Sequence, residues 1–188
     1  MSRNLYLLRH GHRLDFQYPE WFSISSNKYD PPLSDLGNEQ AKELANILES
    51  EKIKHIFSSP YLRCLQTAYP IAQKLNLLIK VEDRLGEWLN AEWIDNNPKL
   101  YFNTFLKSCY PLIDRSYRGS KFPQYPETLE QAQKRTQIIA NDLLQNFTGD
   151  LLIIGHSITL SSLVKSFAEN SPEISTPFAA LIKLYIPH

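Results

Sequence analysis

Two histidines and three arginines stand where apolar runs of this chain end. Arg9, His10 and Arg13 follow Leu5-Tyr6-Leu7-Leu8, and His156 follows Leu151-Leu152-Ile153-Ile154-Gly155. Arg63 lies in Ser59-Pro60-Tyr61-Leu62-Arg63-Cys64-Leu65-Gln66-Thr67-Ala68, just after the apolar stretch from Ile53 to Phe57. Guanidiniums offer forked donors to oxyanions, and an unprotonated imidazole beside them can act as a nucleophile. Taken by itself, Arg9-His10-Gly11 is as readily a basic turn with a solvated histidine. A second Gly-His and a third arginine, each after its own apolar run, shift the balance toward an anion site.

The elements that must carry these residues follow from period and punctuation. Short continuous apolar runs ended by Gly read as buried strands of a parallel sheet, and ligands of such sheets bind beyond the strands' carboxyl ends. Strands are predicted at Leu5–Leu8, Ile53–Phe57, Leu77–Val81, Leu151–Ile154 and Leu181–Ile186. Ser34 or Asp35 can cap a helix through about Ser50, with Leu36, Leu44, Ile47 and Leu48 near helical spacing. A second helix runs from Pro60 to about Leu75, bent near Pro70 and with Arg63 in its anion-favouring first turn. A long helix covers Thr128–Phe147 with Leu129, Ala132, Ile138, Ile139, Leu143 and Leu144 inward, ended by Gly149. Another spans Ser157 to about Ala168. Strand and helix alternate, so the expected fold is α/β: a three-layer sandwich, a mainly parallel central sheet with helices on both faces. Residues 12–33 read as a long loop. Residues 88–126, with a short helix from Pro98 through Cys109, read as an insertion that forms a lid over the strands' carboxyl ends.

At these residues the chain resembles the histidine phosphatase, or phosphoglycerate-mutase-like, superfamily. The carriers are Arg9-His10-Gly11, the Ser59–Ala68 stretch and Gly155-His156, in that order, within a likeness spanning roughly residues 3 to 186. Arg9-His10-Gly11-His12-Arg13-Leu14-Asp15-Phe16, Tyr29-Asp30-Pro31-Pro32-Leu33-Ser34 and Val81-Glu82-Asp83-Arg84-Leu85-Gly86-Glu87-Trp88 are most similar to one branch. That branch holds the phosphatase domain of the T-cell-receptor-signalling suppressors and the ecdysteroid-phosphate phosphatases. Its usual residue after Arg-His-Gly is Glu, where this chain has His12.

The resemblance implies a phosphatase that hydrolyses phosphate monoesters through a phosphohistidine, without metal or other cofactor. It makes His10 the nucleophile and Glu87 the proton donor to the leaving oxygen. Arg9, Arg13, Arg63 and His156 would surround the phosphoryl oxygens, where positive charge supplies most of the catalysis. Glu82, Asp83 and Glu92 compete with Glu87 for the acid role, and Glu127 reads as a helix-start residue. His12 is expected to face solvent. Arg115, Arg118 and Lys121 read as a solvated basic face or as a contact to a second anionic group of the substrate. His55 reads as structural. Aromatic residues crowd two segments: Phe16, Tyr18, Trp21, Phe22 and Tyr29, then Trp88, Trp93, Tyr101, Phe102, Phe105, Tyr110, Tyr117, Phe122 and Tyr125. An aromatic wall would favour aryl or apolar leaving groups.

Three rivals remain open: a metal enzyme, a phosphoglycerate-type mutase or sugar-phosphate phosphatase, and a non-catalytic phosphoprotein-binding module. None of the five histidines pair at the i, i+4 spacing of a helical zinc site. The module would be expected to lose His10 or a clamp arginine, and both kinds are present. A length of 188 residues suits one domain. Twenty Lys and Arg balance twenty Asp and Glu, which gives no support for nucleic acid or an anionic membrane as partner. The expected partner is a phosphorylated small molecule or phosphoprotein substrate. Cys64 and Cys109 form no spacing motif and read as free thiols. No apolar run approaches the roughly 20 residues of a membrane span, and no apolar leader precedes the first strand. A cytoplasmic protein is expected.

Overall fold

The computed structural model describes residues 2–101, 109–167 and 174–187. Strands β1 (Arg3–Arg9), β2 (Ile53–Ser58), β3 (Ile79–Val81), β4 (Asp150–Gly155) and β5 (Leu181–Ile186) form a sheet in the order β3-β2-β4-β1-β5. The pairings of β1 with β4, β4 with β2 and β2 with β3 are parallel, and β5 runs antiparallel to β1 along the edge. β1 and β4 are the strands whose runs are apolar without alternation. Both lie inside the sheet and are covered on both faces, which removes the need for a polar side.

The two-residue period of β1 divides its side chains between two cores. Tyr6 and Leu8 face α3 (Asp35–Leu48) and α4 (Leu62–Leu75), where Leu44, Leu48, Leu65, Ala68 and Ile71 close the layer. Leu5 and Leu7 face α5 (Leu129–Asn146) and α6 (Ser157–Phe167), against Ile139, Leu143, Leu160 and Leu163. This is the three-layer α/β sandwich. Leu152 and Ile153 point to opposite cores from adjacent positions of β4, and truncating either to Ala would cost about 2–5 kcal/mol.

Helix boundaries follow their caps. Ser34 Oγ accepts from Gly37 N at 3.1 Å to start α3, and Thr128 with Gln131 forms a capping box at the start of α5. α4 continues through Pro70 to Leu75. The inward faces differ from the periodic reading at several positions. Leu36 and Ile47 of α3 and Leu129 and Ile138 of α5 are exposed, while the small residues Gly37, Ala41, Ala45, Ala132 and Ala140 are buried. The long loop is also partly ordered into two short helices, α1 (Leu14–Gln17) and α2 (Trp21–Ile24). The expected helix from Pro98 through Cys109 falls largely outside the described residues.

Register is what assembles the site. Arg9 pairs with Gly155 across β1 and β4, and Ser58 pairs with Ile154 across β2 and β4. The residues that follow, His10 and His156, therefore leave adjacent strands at one level, with Ser59 of the neighbouring strand one residue behind, level with Gly155. His10 N donates to Gly155 O at 3.1 Å and Ser59 N to Ile154 O at 2.9 Å, extending the ladder by one step.

Candidate active site

His10 is buried, and its Nδ1 lies 2.8 Å from the Gly11 carbonyl. A carbonyl only accepts, so the proton sits on Nδ1 and Nε2 carries the lone pair. Arg63 Nε donates toward that Nε2 at 3.3 Å. The turn holding the ring is itself pinned from α4, because Gly11 N donates to Thr67 Oγ1 at 3.1 Å. It is also tight: a Cβ on Gly11 would meet the Gly37 carbonyl at 2.7 Å, so only glycine lets the turn cross α3 here.

Arg63 is a large, fully buried cation in the first turn of α4. Its terminal nitrogens lie 3.5 Å from Glu87 Oε2, 3.2 Å from His156 Nδ1 and 3.8 Å from Asp30 Oδ1. The Tyr61 ring lies beneath it, 4.4 Å from the guanidinium carbon. Tyr61, at the N-cap, has no side-chain acceptor to offer the helix. Asp30 replaces it: Oδ1 accepts from Leu62 N at 2.8 Å while Oδ2 accepts from Tyr101 N at 3.1 Å. Burial raises the Asp30 carboxyl, and Arg63 and the two N–H donors oppose that rise.

His156 is fully buried, 5.3 Å from His10 ring to ring and nearly edge-on to Tyr61. Its Nε2 meets Ser59 Oγ at 2.8 Å and its Nδ1 meets Glu87 Oε2 at 3.2 Å. The carboxylate fixes the proton on Nδ1, so Ser59 donates to Nε2. Burial lowers His156 to about 4, with Glu87 pulling the other way. Burial drives His10 well below its ordinary value, and Arg63 and His156 push in the same direction. For Glu87 burial works upward, but His156, Arg63 and His10 outweigh it and hold the carboxyl well below the usual carboxylate range. Near neutral pH the site thus holds two neutral imidazoles, a guanidinium and a carboxylate. Cys64 Sγ lies 3.7 Å from His156 Nε2, and burial pushes its thiol up to about 12, which leaves it unreactive.

The structure brings His10, Arg63, Glu87 and His156 into direct contact. Arg9 stands beside them, its guanidinium 4.3 Å over the Phe178 ring and donating to Thr176 O, with a buried Nε that meets no protein acceptor. Arg13 is at the rim in a forked pair with Asp15, 5.1 Å from the Phe16 ring. Its charge is near enough to disfavour protons on Arg9 and His156. His10, Glu87 and His156 also present three ligand atoms within 4.8 Å of one another. Arg63 lies within hydrogen-bonding distance of all three side chains. A cation there would have to displace a guanidinium, so the set suits an oxyanion.

Buried Glu82 accepts from Tyr117 Oη at 2.8 Å and from Ser120 N and Arg84 N at 3.1 Å, which ties residues 117–120 to the body. Glu92 is exposed. Glu127 is more than a helix-start residue: it forms a buried fork with Arg135 at 2.7 and 2.8 Å. His12 does not simply face solvent. Its Nδ1 meets the α3 cap Ser34 Oγ at 2.8 Å, and its ring packs edge-on to Phe178 and Phe16. Arg115, Arg118 and Lys121 are exposed. His55 packs against Phe147 at 5.0 Å, in keeping with a structural role.

The second aromatic segment mostly packs the body. Tyr110 meets Tyr69, Tyr117 meets Phe57, Tyr125 donates to Ile94 O and Trp88 Nε1 to Glu127 O. Phe102 and Phe105 lie outside the described residues. The rings at the rim are instead Phe16, His12 and Phe178, with centroids 5.2–6.0 Å apart. Phe178 and Arg135 escaped sequence reading, and Asp30, Ser59 and Thr67 were read only as members of motif stretches with no role of their own. Asp30 had a visible signal, an acidic residue ahead of two prolines. Phe178 had none.

A family model described as the histidine phosphatase superfamily, branch 1, matches residues 5–180. The chain belongs to that superfamily. The ecdysteroid-phosphate phosphatase of Drosophila melanogaster is 23% identical over 219 residues, covering 96% of this chain and 29% of that protein. Human ubiquitin-associated and SH3 domain-containing protein A is 32% identical over 174 residues, covering 85% of this chain and 26% of its own length. The chain thus spans under a third of the length of these relatives. The crystal structure of the ecdysone phosphate phosphatase of Bombyx mori, in complex with tungstate, superposes with a TM-score of 0.73 at 24% identity, covering 96% of this chain and 88% of that one. It shows the shared fold: a mostly parallel five-stranded sheet with helices around it. Among the described residues no helix is long and apolar enough to cross a membrane.

Proposed function

We propose that the chain is a metal-independent phosphomonoesterase that works through a phosphohistidine on His10. The observation that carries this reading is the His10 ring, whose Nδ1–H donates to the Gly11 carbonyl, which leaves its Nε2 lone pair facing Arg63 beside Glu87. Nε2 attacks phosphorus as the bond to the leaving oxygen breaks, and that oxygen takes a proton from Glu87. Water then attacks the phosphorus, returns a proton to Glu87, and the N–P bond breaks to release inorganic phosphate. Arg9, Arg13, Arg63 and His156 bind the peripheral oxygens.

Glu87 is a carboxylate before substrate binds, held so by His156 and Arg63. A phosphate ester turns those donors toward itself and brings negative charge beside Glu87. Both changes raise the proton affinity of the carboxylate, so a substrate entering as its monoanion supplies the proton that Glu87 passes on. Metal independence is supported by the guanidinium that stands among the three ligand-type atoms.

The described parts of residues 88–126 act as a lid on a single domain, and the substrate is a phosphorylated small molecule or phosphoprotein with an aryl or apolar leaving group. The rim rings Phe16, His12 and Phe178, between Arg9 and Arg13, support that preference. The test is a rapid quench. Enzyme denatured during turnover of p-nitrophenyl phosphate should carry acid-labile, base-stable phosphate, absent in His10→Ala and unaffected by chelator. Activity abolished by chelator and restored by metal would overturn the reading.

A further inference from the structure

The segment that carries Glu87 is gripped by one buried arginine. Arg135 is on the second turn of α5, and its side chain is about nine-tenths buried. One of its terminal nitrogens donates to Arg84 O and, at 3.1 Å, to Gly86 O, and the other donates to Glu87 O at 3.3 Å. Glu127 takes the remaining edge of the fork at 2.7 and 2.8 Å, keeping the buried charge paired. Glu127 also reaches the same segment through its backbone: its N donates to Leu89 O at 2.9 Å and its carbonyl accepts Trp88 Nε1 at 2.8 Å. From α6, Thr159 Oγ1 donates to Gly86 O at 3.4 Å. A Cβ on Gly86 would meet Asp83 O at 3.1 Å and the Phe122 and Tyr61 rings at 3.5 Å, so the turn packs closely against rings of the site as well as against α5.

Segment 84–87 has little regular structure of its own beyond the 3-10 turn Asp83–Leu85. Three of its four carbonyls, those of Arg84, Gly86 and Glu87, accept from one planar donor set that no lysine could reproduce. We propose that Arg135 is the positioning residue for Glu87: its fork sets the height at which the Glu87 carboxylate meets His156 and the leaving oxygen. The proposal rests on the reading of Glu87 as proton donor, but its geometric half can be tested without that reading.

Two measurements separate them. The first is the proton resonance of His156 Nδ1–H in ¹⁵N-labelled protein, shifted downfield by its carboxylate partner. It should move or be lost to exchange in Arg135→Gln as it does in Glu87→Gln. The second is kcat on butyl phosphate against p-nitrophenyl phosphate. A misplaced acid penalises the poor leaving group, so Arg135→Gln should lose about 10- to 100-fold on the alkyl ester and far less on the nitrophenyl ester. Arg135→Lys, which keeps the charge facing Glu127 but can fill only part of the carbonyl set, should recover part of both signals. Should Arg135→Gln not fold, Arg135→Lys supplies both measurements, with a smaller shift in the same direction. An unchanged His156 resonance in either folded variant, or equal losses on the two esters, would overturn the positioning role. If Glu87→Gln itself shows no leaving-group dependence, the acid assignment falls, and the resonance alone decides whether Arg135 places Glu87.

Discussion

Asp30 and Arg63 lie 3.8 Å apart in the interior, one from the segment before α3 and one from the first turn of α4. The carboxylate does two tasks at once. It caps a helix whose own N-cap residue, Tyr61, offers no acceptor, and it backs the guanidinium that faces His10, His156 and Glu87. The start of α4 and the guanidinium of the candidate site therefore share one support.

Removing that support should be felt in stability as well as rate. Asp30→Ala orphans the N–H groups of Leu62 and Tyr101 and strips a partner from a buried cation, an expected loss of about 3 kcal/mol. Asp30→Asn keeps one oxygen to cap Leu62 and should lose markedly less. Denaturant unfolding of the two variants compares them; equal stability would mean the cap is not what Asp30 supplies.

Glu87→Gln should slow alkyl esters by about 10²–10⁴-fold, the usual range for a lost general acid, and slow p-nitrophenyl phosphate far less. Nitrophenolate departs without a proton, so the ratio of the two rates isolates the acid step. Equal slowing would assign Glu87 to binding rather than to proton transfer.

Acid should destabilise the fold earlier than its surface carboxylates require. His156 titrates at 6.5 when unfolded and is lowered to about 4 by burial, and His10 is lowered in the same direction. The unfolded chain then binds more protons below pH 6.5, so stability is full above that pH and declines as pH falls from 6.5 toward 4. For His156 the decline amounts to about 3 kcal/mol. Unfolding free energies across pH 4–7.5 measure it. His156→Gln should flatten the slope, and an equally steep slope in that variant would place the titrating group elsewhere.

The rim rings should act on specificity and leave the chemistry alone. Phe16 is 60% exposed and pairs edge-on with Phe178 at 5.2 Å, so its removal opens no core cavity. A lost ring pair of about 0.5–1.5 kcal/mol corresponds to roughly two- to tenfold in kcat/KM. Phe16→Ala should show that loss on phenyl phosphate and none on glucose 6-phosphate. A wild-type preference for glucose 6-phosphate or 3-phosphoglycerate over phenyl phosphate would remove the aryl preference and leave the phosphatase reading standing.

Much of this protein was legible from local pattern. An uninterrupted apolar run of four or five residues has to be covered on both faces, which sufficed to place β1 and β4 inside a parallel sheet. A glycine or a proline after such a run marks where side chains emerge, and His10, Arg63 and His156 stand at those exits. The helix faces were read less well: Leu36, Ile47, Leu129 and Ile138 had the right spacing but lie outward. The buried positions that spacing missed include the small residues Gly37, Ala41, Ala45 and Ala140, whose apolar signal is weak.

Tertiary structure alone decided how the emerging side chains are held. Register set His10 and His156 at one level and Ser59 one residue behind, because each strand pairing fixes the next residue's height. Asp30 reaches Arg63, Arg135 reaches the Glu87 segment, and Phe178 reaches Phe16 and His12 across long stretches of chain with no periodic relation. Residue type and spacing report what a segment must bury. They carry no information on which distant donor will satisfy a turn's carbonyls or which ring will close a rim, since those partners are chosen only when the layers pack.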